Sequence, residues 1–220
     1  MYQNIPTKVL TGEVRLSYAH LSEPHANPNQ PGSEPKYSVT LLIPKTDAAT
    51  KADIDASMKA AYEAAVANDW KGARPQLRSA LIYDGDGLRN DGSKFGPECA
   101  GHWVITANSK RKPQVVDISN INCELAPQDI YSGMYARVTL NFFAFNANRN
   151  KGIGCGLGNV LKLRDGDPLS GGASAASDFE GLGQLVQSTE FSGVAQGAAV
   201  GPMGTGATQV QINPITGLPM

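Results

Sequence analysis

The chain has 220 residues, 41% of them hydrophobic, and a formal net charge of −1, enough for one packed domain and an appendage. No run approaches the roughly eighteen apolar residues of a membrane span, and residues 1–6 have no basic stretch leading into an apolar one, so no secretory signal is expected. The three scattered cysteines (Cys99, Cys123, Cys155) argue against a disulfide framework and fit a reducing cytoplasm.

Charge divides the chain. Residues 1–164 hold all 19 Lys and Arg against 15 Asp and Glu, a net +4; residues 165–220 hold five acids and no base. The same boundary divides composition. The C-terminal 56 residues contain eleven glycines and two aromatics, Phe179 and Phe191, too little apolar surface to offset chain entropy. The expected organisation is a folded domain over 1–164 and a mobile, mildly acidic tail over 165–220, with a short helical piece near 178–187.

Within the domain, Val14, Leu16 and Tyr18 alternate with Arg15 and Ser17, the period of a half-buried strand. A loop rich in Pro and Asn follows. Residues 36–43 form a second strand, with Tyr37, Val39, Leu41 and Ile43 on one face, ended by Pro44. Residues 46–68 are the clearest helix: Ile54, Met58, Ala61, Ala65 and Val66 fall near helical spacing, and Thr46 or Thr50 can cap the start. Further strands are expected near 80–83, 102–108, 114–118, 134–146 and 153–163. Several strands, one inserted helix and turn-rich loops fit a mainly β, OB-like five-stranded barrel, with a sandwich as the structural alternative.

The strand at 134–145 is the most informative. Met134, Ala136, Val138, Leu140, Phe142 and Ala144 make one face wholly apolar and turn it to the core. The other face carries Tyr135, Arg137, Thr139, Asn141, Phe143 and Phe145, and Arg149 and Lys151 come next. Rings and cations presented to solvent suit single-stranded nucleic acid: bases stack on aromatic faces and cations track the phosphates. The plainer alternative buries Phe143 and Phe145 under a loop or a partner subunit. Lys110, Arg111 and Lys112 form a basic hairpin tip suited to phosphate. Lys36 is a further candidate, and Trp103 is either a stacking ring or a core residue.

Other motifs point less firmly to chemistry. The alternate glycines Gly152, Gly154, Gly156 and Gly158 lack the Lys-Ser/Thr ending of a P-loop, and read better as a strand whose backbone closely approaches something. Asp84, Asp86 and Asp91 could hold Mg²⁺ in a nuclease, but the segment fails the calcium-loop pattern and its Gly and Asn residues read as turns. Cys99 and His102 are spaced for zinc without a second pair. No catalytic set, metal site or cofactor is expected.

Residues 35–45 (PKYSVTLLIPK), the helix after them, and a later block holding Asn148, 152–157 (GIGCGL), Asn159-Val160 and 165–169 (DGDPL) together resemble a family of phage and prophage proteins formerly known only as a domain of unknown function. That family is similar to the T7-type single-stranded DNA-binding protein. The resemblance covers roughly residues 5–180. It implies an OB fold and sequence-independent binding of single strands in replication, recombination or annealing. T7-type proteins end in a strongly acidic tail with a terminal aromatic; here residues 191–220 carry no charge. Docking of partners by that route is therefore not implied, and shielding of the basic groove by Asp178 and Glu180 is the weaker expectation.

The resulting expectation is a non-enzymatic binder of single-stranded DNA in the bacterial host cytoplasm. Tyr135, Phe143, Phe145 and Trp103 would stack bases, Arg137, Arg149, Lys151, Lys110, Arg111 and Lys112 would contact phosphates, and Asn141 and Lys36 are further DNA-binding residues. Replication or recombination enzymes, or a second copy of the chain, are the protein partners such a role admits. A metal-dependent nuclease and a phage structural or assembly protein are the rival readings.

Overall fold

The computed structural model describes residues 2–26, 32–77, 80–89, 91–147 and 150–169. In chain order these form β1 (Lys8–Leu10), β2 (Val14–His25), β3 (Lys36–Pro44), α1 (Ala48–Ala67), β4 (Ile82–Asp84), β5 (His102–Ser109), β6 (Val115–Asp117), β7 (Asn120–Glu124), β8 (Tyr135–Ala147) and β9 (Asn150–Arg164). Antiparallel pairs join β8 to β2, β2 to β3, β3 to β5, and β8 to β9. A parallel pairing of β5 with β9 at Asn108 and Gly156 closes the ring. The ring strands are β2, β3, β5, β8 and β9, and closure of the last onto the third gives an OB-like barrel rather than a sandwich. β1, β6 and β7 extend the sheet beyond the ring, and β4 adds to β5.

The barrel closes because every ring strand offers an apolar face. Leu16, Leu41, Ile43, Ile105, Leu140 and Phe142 are among its fully buried side chains. α1, inserted between the second and third ring strands, packs against β8 and β1. It turns Ile54, Ala61, Ala65 and Val66 inward, an alanine-rich stripe that lets the helix approach closely. Neither Thr46 nor Thr50 caps it. Asp47 does, accepting from the Thr50 amide at 3.0 Å. The buried Thr50 hydroxyl instead accepts from the Gly12 amide at 2.8 Å, tying helix to barrel.

Tyr18 departs from the expected alternation. The β2–β3 register shifts between Ser17 and His20, and Tyr18 takes a left-handed backbone with φ +47°. That conformation costs a non-glycine residue about 1–2 kcal/mol. The bulge turns Tyr18 out to 62% exposure, and Leu21 becomes the next buried side chain. Strand β2 then continues to His25, beyond the stretch its alternation marks.

Residues 165–169, assigned to the tail on composition, are bonded to the barrel. The Tyr131 hydroxyl donates to Asp165 and accepts from the Gly166 amide. Arg15 donates to the Asp167 carbonyl at 2.7 Å, and the Leu169 amide to Ser132. Gly133, at φ +122°, lies where a side chain would strike the Asp167 carbonyl. The rest of the tail, including the helical piece near 178–187, lies outside the described residues.

Candidate nucleic-acid interface

Strand β8 splits its faces as its alternation dictates. Met134, Ala136, Val138, Leu140 and Phe142 are buried. The outer face divides along its length. At its start, Tyr135 is covered: the Arg164 guanidinium carbon lies 3.4 Å from its ring centre and that of Arg15 5.7 Å away, with Arg164 itself paired to Glu13. Arg137 donates from Nε to the Thr11 carbonyl at 2.8 Å, and the Thr139 hydroxyl accepts from the Asn159 amide. These three side chains are committed to the barrel.

Further along, the face opens. Phe143 and Phe145 are 45% and 41% exposed. They pair across the ladder with Gly154 and Gly152, and each ring lies over its glycine. A methyl group on Gly154 would come within 2.7 Å of Phe143 Cζ, and one on Gly152 would strike the Phe145 ring. The alternate glycines of β9 are thus the bed on which two rings rest, each with one side on backbone and the other open. This is the close backbone approach expected of that run.

Beside Phe143 lies a groove of about 460 Å³ on the outer face of the barrel. Lys8, Lys36 and Lys110 line it together with Asn108, Asn141 and Phe143. Lys36, Lys110, Asn141 and Phe143 were expected at such a site; Lys8 was not. Its signal was slight, a three-residue strand too short to register by alternation. Pairing of Lys8 with Asn141 in β8 brings it to the groove. Lys110 Nζ lies 2.5 Å from Glu34. That ammonium, with Lys36 nearby, holds the Glu34 carboxyl below its ordinary range.

The other expected residues are distributed differently. Trp103 is half-buried against the core, and the Lys45 and Lys51 ammonium groups lie 5.2 and 4.9 Å from its ring centre. Its ring is therefore taken and stands away from the groove. Lys112 faces Glu124 of β7 at 4.0 Å. Arg111 is exposed at the turn, where its amide donates to Ser109. Lys151 shares the alternation of the buried Ile153, Cys155 and Leu157, so it leaves the barrel on the side opposite the two rings. Arg149 lies outside the described residues.

The acidic segment is engaged in structure. Asp84 and Asp86 both grip Lys45, at 2.5 and 2.7 Å; hydrogen bonds from its ammonium hold both carboxyls low. Asp91 accepts from the amide and hydroxyl of Ser93 in a separate turn. Among the described residues, no group of three or more His, Cys, Asp or Glu side chains is placed to hold a metal ion, and no helix is long and apolar enough to cross a membrane.

The model of the family described as Enterobacter phage Enc34, ssDNA-binding protein, matches residues 7–191. The chain belongs to this family. Its fold is similar to the single-stranded DNA-binding protein of bacteriophage Enc34 solved in complex with ssDNA: 30% identity, TM-score 0.62, covering 74% of this chain and 90% of that one. It is also similar to the T7 single-stranded DNA-binding protein gp2.5, at 16% identity and TM-score 0.50 over 86% of this chain and 98% of that one, a likeness of fold alone. A curated relative, putative protein p50 of Acyrthosiphon pisum secondary endosymbiont phage 1, is 28% identical over 80% of this chain and 94% of its own length. The Enc34 family relation agrees with the OB-like barrel and with the resemblance read from the sequence.

Proposed function

We propose that this chain binds single-stranded DNA with little sequence preference, as a non-enzymatic component of phage DNA replication, recombination or annealing in the bacterial host cytoplasm. The observation that carries the reading is the pair of open rings, Phe143 and Phe145, bedded on glycine beside a groove holding Lys8, Lys36 and Lys110. Rings accept any base face, so the sequence of the strand matters little. Three ammonium groups beside them suit consecutive phosphates, and Glu34 occupies the phosphate place until DNA displaces it. That an Enc34 protein of the same family was solved with ssDNA supports the assignment.

Anisotropy of a labelled dT oligonucleotide at several salt concentrations tests it. Tryptophan emission is a poor probe, because the Trp103 ring is covered by lysines. Affinity should fall steeply with salt. Replacing Lys8, Lys36 and Lys110 together by Ala should flatten the log–log slope by about 2, at roughly 0.7 per lost phosphate contact. Salt-independent binding, or none at low salt, would overturn the proposal.

A further inference from the structure

A second aromatic groove lies on the same outer face. It has a volume of about 420 Å³ and is lined by Tyr18, Tyr83 and Phe95 above Thr40 and Thr106, in the range of small-molecule clefts. Thr40 and Thr106 pair across β3 and β5, their hydroxyls 2.9 Å apart. The next outward pair along the same ladder is Ser38 with Asn108, and Asn108 already lines the lysine groove. Two residues of β5, about 7 Å of strand, separate one groove from the other.

Tyr18 dominates this second groove. It lines a neighbouring cleft as well, so its ring borders open space on both. The chain holds it there by a bulge and a left-handed backbone, a departure from alternation that places a large aromatic in solvent. Bulges that re-aim a side chain, and non-glycine residues kept at positive φ, gather at functional sites. The charge here differs from that of the first groove. Arg89, stacked 5.0 Å over Phe95, is the one cation among the described lining residues, and Asp91 and Glu98 accompany it. This half of the face attracts phosphate weakly and presents rings.

We propose that Tyr18 is a second base-stacking platform, on which the DNA strand leaving the lysine groove lays a further base after crossing the Thr40–Thr106 pair. The proposal rests on the DNA-binding reading above. It makes the footprint longer than the first groove and divides the labour: phosphates are held at Lys8, Lys36 and Lys110, and an additional base at Tyr18.

The test uses the full chain and dT oligonucleotides of graded length, with Tyr18→Gly, Tyr18→Asn, Tyr18→Phe and Phe143→Ala. Glycine and asparagine tolerate the left-handed backbone, so both variants remove the ring without breaking the bulge, and their melting should confirm the fold. Each should bind long oligonucleotides about 5- to 150-fold more weakly, the range of one lost stack. The salt slope should stay unchanged, Tyr18→Phe should bind like the parent, and the loss should vanish on oligonucleotides too short to leave the first groove. If both variants bind like the parent while Phe143→Ala is weakened, the second platform is overturned and the DNA-binding reading stands. If Tyr18→Gly, Tyr18→Asn and Phe143→Ala all bind like the parent, neither ring stacks a base and the second platform is overturned together with the first; a parent that binds no oligonucleotide at low salt overturns the DNA-binding reading itself. A loss accompanied by a flatter salt slope would also overturn the platform, because it would mean a phosphate contact was lost.

Discussion

Gly154→Ala tests how the aromatic platform is built. The backbone of Gly154 is not left-handed, so alanine fits it, and alanine in a strand is favoured over glycine by roughly 0.5–1 kcal/mol. The added methyl, however, would lie 2.7 Å from Cζ of Phe143 and 3.0 and 3.2 Å from its two Cε atoms. Ordinary carbon contacts need about 3.5–4.0 Å, so the ring must retreat by about 1 Å. Phe143 is 45% exposed and can swing into solvent at small cost. Stability should therefore stay level or rise slightly, while the ring leaves its stacking position. The binding loss is bounded by one base–ring stack, roughly 1–3 kcal/mol, or about 5- to 150-fold in Kd. Anisotropy titrations of Gly154→Ala, Phe143→Ala and the double variant, alongside thermal melts, make the measurement. The two changes act on one ring, so the double variant should lose no more than Phe143→Ala alone. Wild-type binding by Gly154→Ala with weakened Phe143→Ala, or fully additive losses, would refute the idea that the glycine seats the ring.

Three other outcomes follow from named contacts. Glu34→Gln should raise DNA affinity about two- to five-fold at low salt, the scale of an exposed ion pair. DNA would release Glu34 from Lys110, so its carboxyl is more basic in the complex than in the free chain. Binding then takes up a proton, and wild-type affinity should climb as pH falls from about 5 through the free carboxyl's range, a rise that Glu34→Gln should lack in parallel titrations. Tyr135→Ala should leave DNA binding intact, since its ring lies between Arg164 and Arg15; a melt should show a loss of about 1 kcal/mol, and weakened binding would return Tyr135 to the interface. Hydrogen bonds from Lys162 and Tyr131 hold the Asp165 carboxyl below its ordinary range. Its stabilising contribution is present above about pH 4 and is lost as pH falls through the lowered folded value, so Asp165→Asn should melt with a flatter acid dependence than the parent.

Much of the fold was legible because its strands bury one face. The alternation over 134–145 marked the inner side of β8 correctly from Met134 to Phe142, and the apolar spacing of α1 placed the helix within two residues of its ends. β1 and β7 were not legible. β1 is three residues long, and every residue of β7 is exposed, so neither carries a period to detect. The helix cap fell to Asp47 because Thr50 was needed elsewhere, as the acceptor for Gly12.

The candidate site follows the same division. Alternation alone set which side of β8 carries Tyr135, Arg137, Asn141, Phe143 and Phe145, because side chains of a strand must take opposite faces in turn. It could not set which of them meet solvent, since that depends on neighbours distant in the chain. Arg15 and Arg164 cover Tyr135, and Thr11 takes Arg137. Glycines eleven and seven residues further on leave Phe143 and Phe145 room to lie flat. Lys8 reaches the groove only through pairing of β1 with β8. Tyr18 is the sharpest case: its pattern placed it with Val14 and Leu16, and a single-residue bulge against β3 reversed its face. A period read along one strand assumes an unbroken ladder, and only the partner strand decides where the ladder breaks.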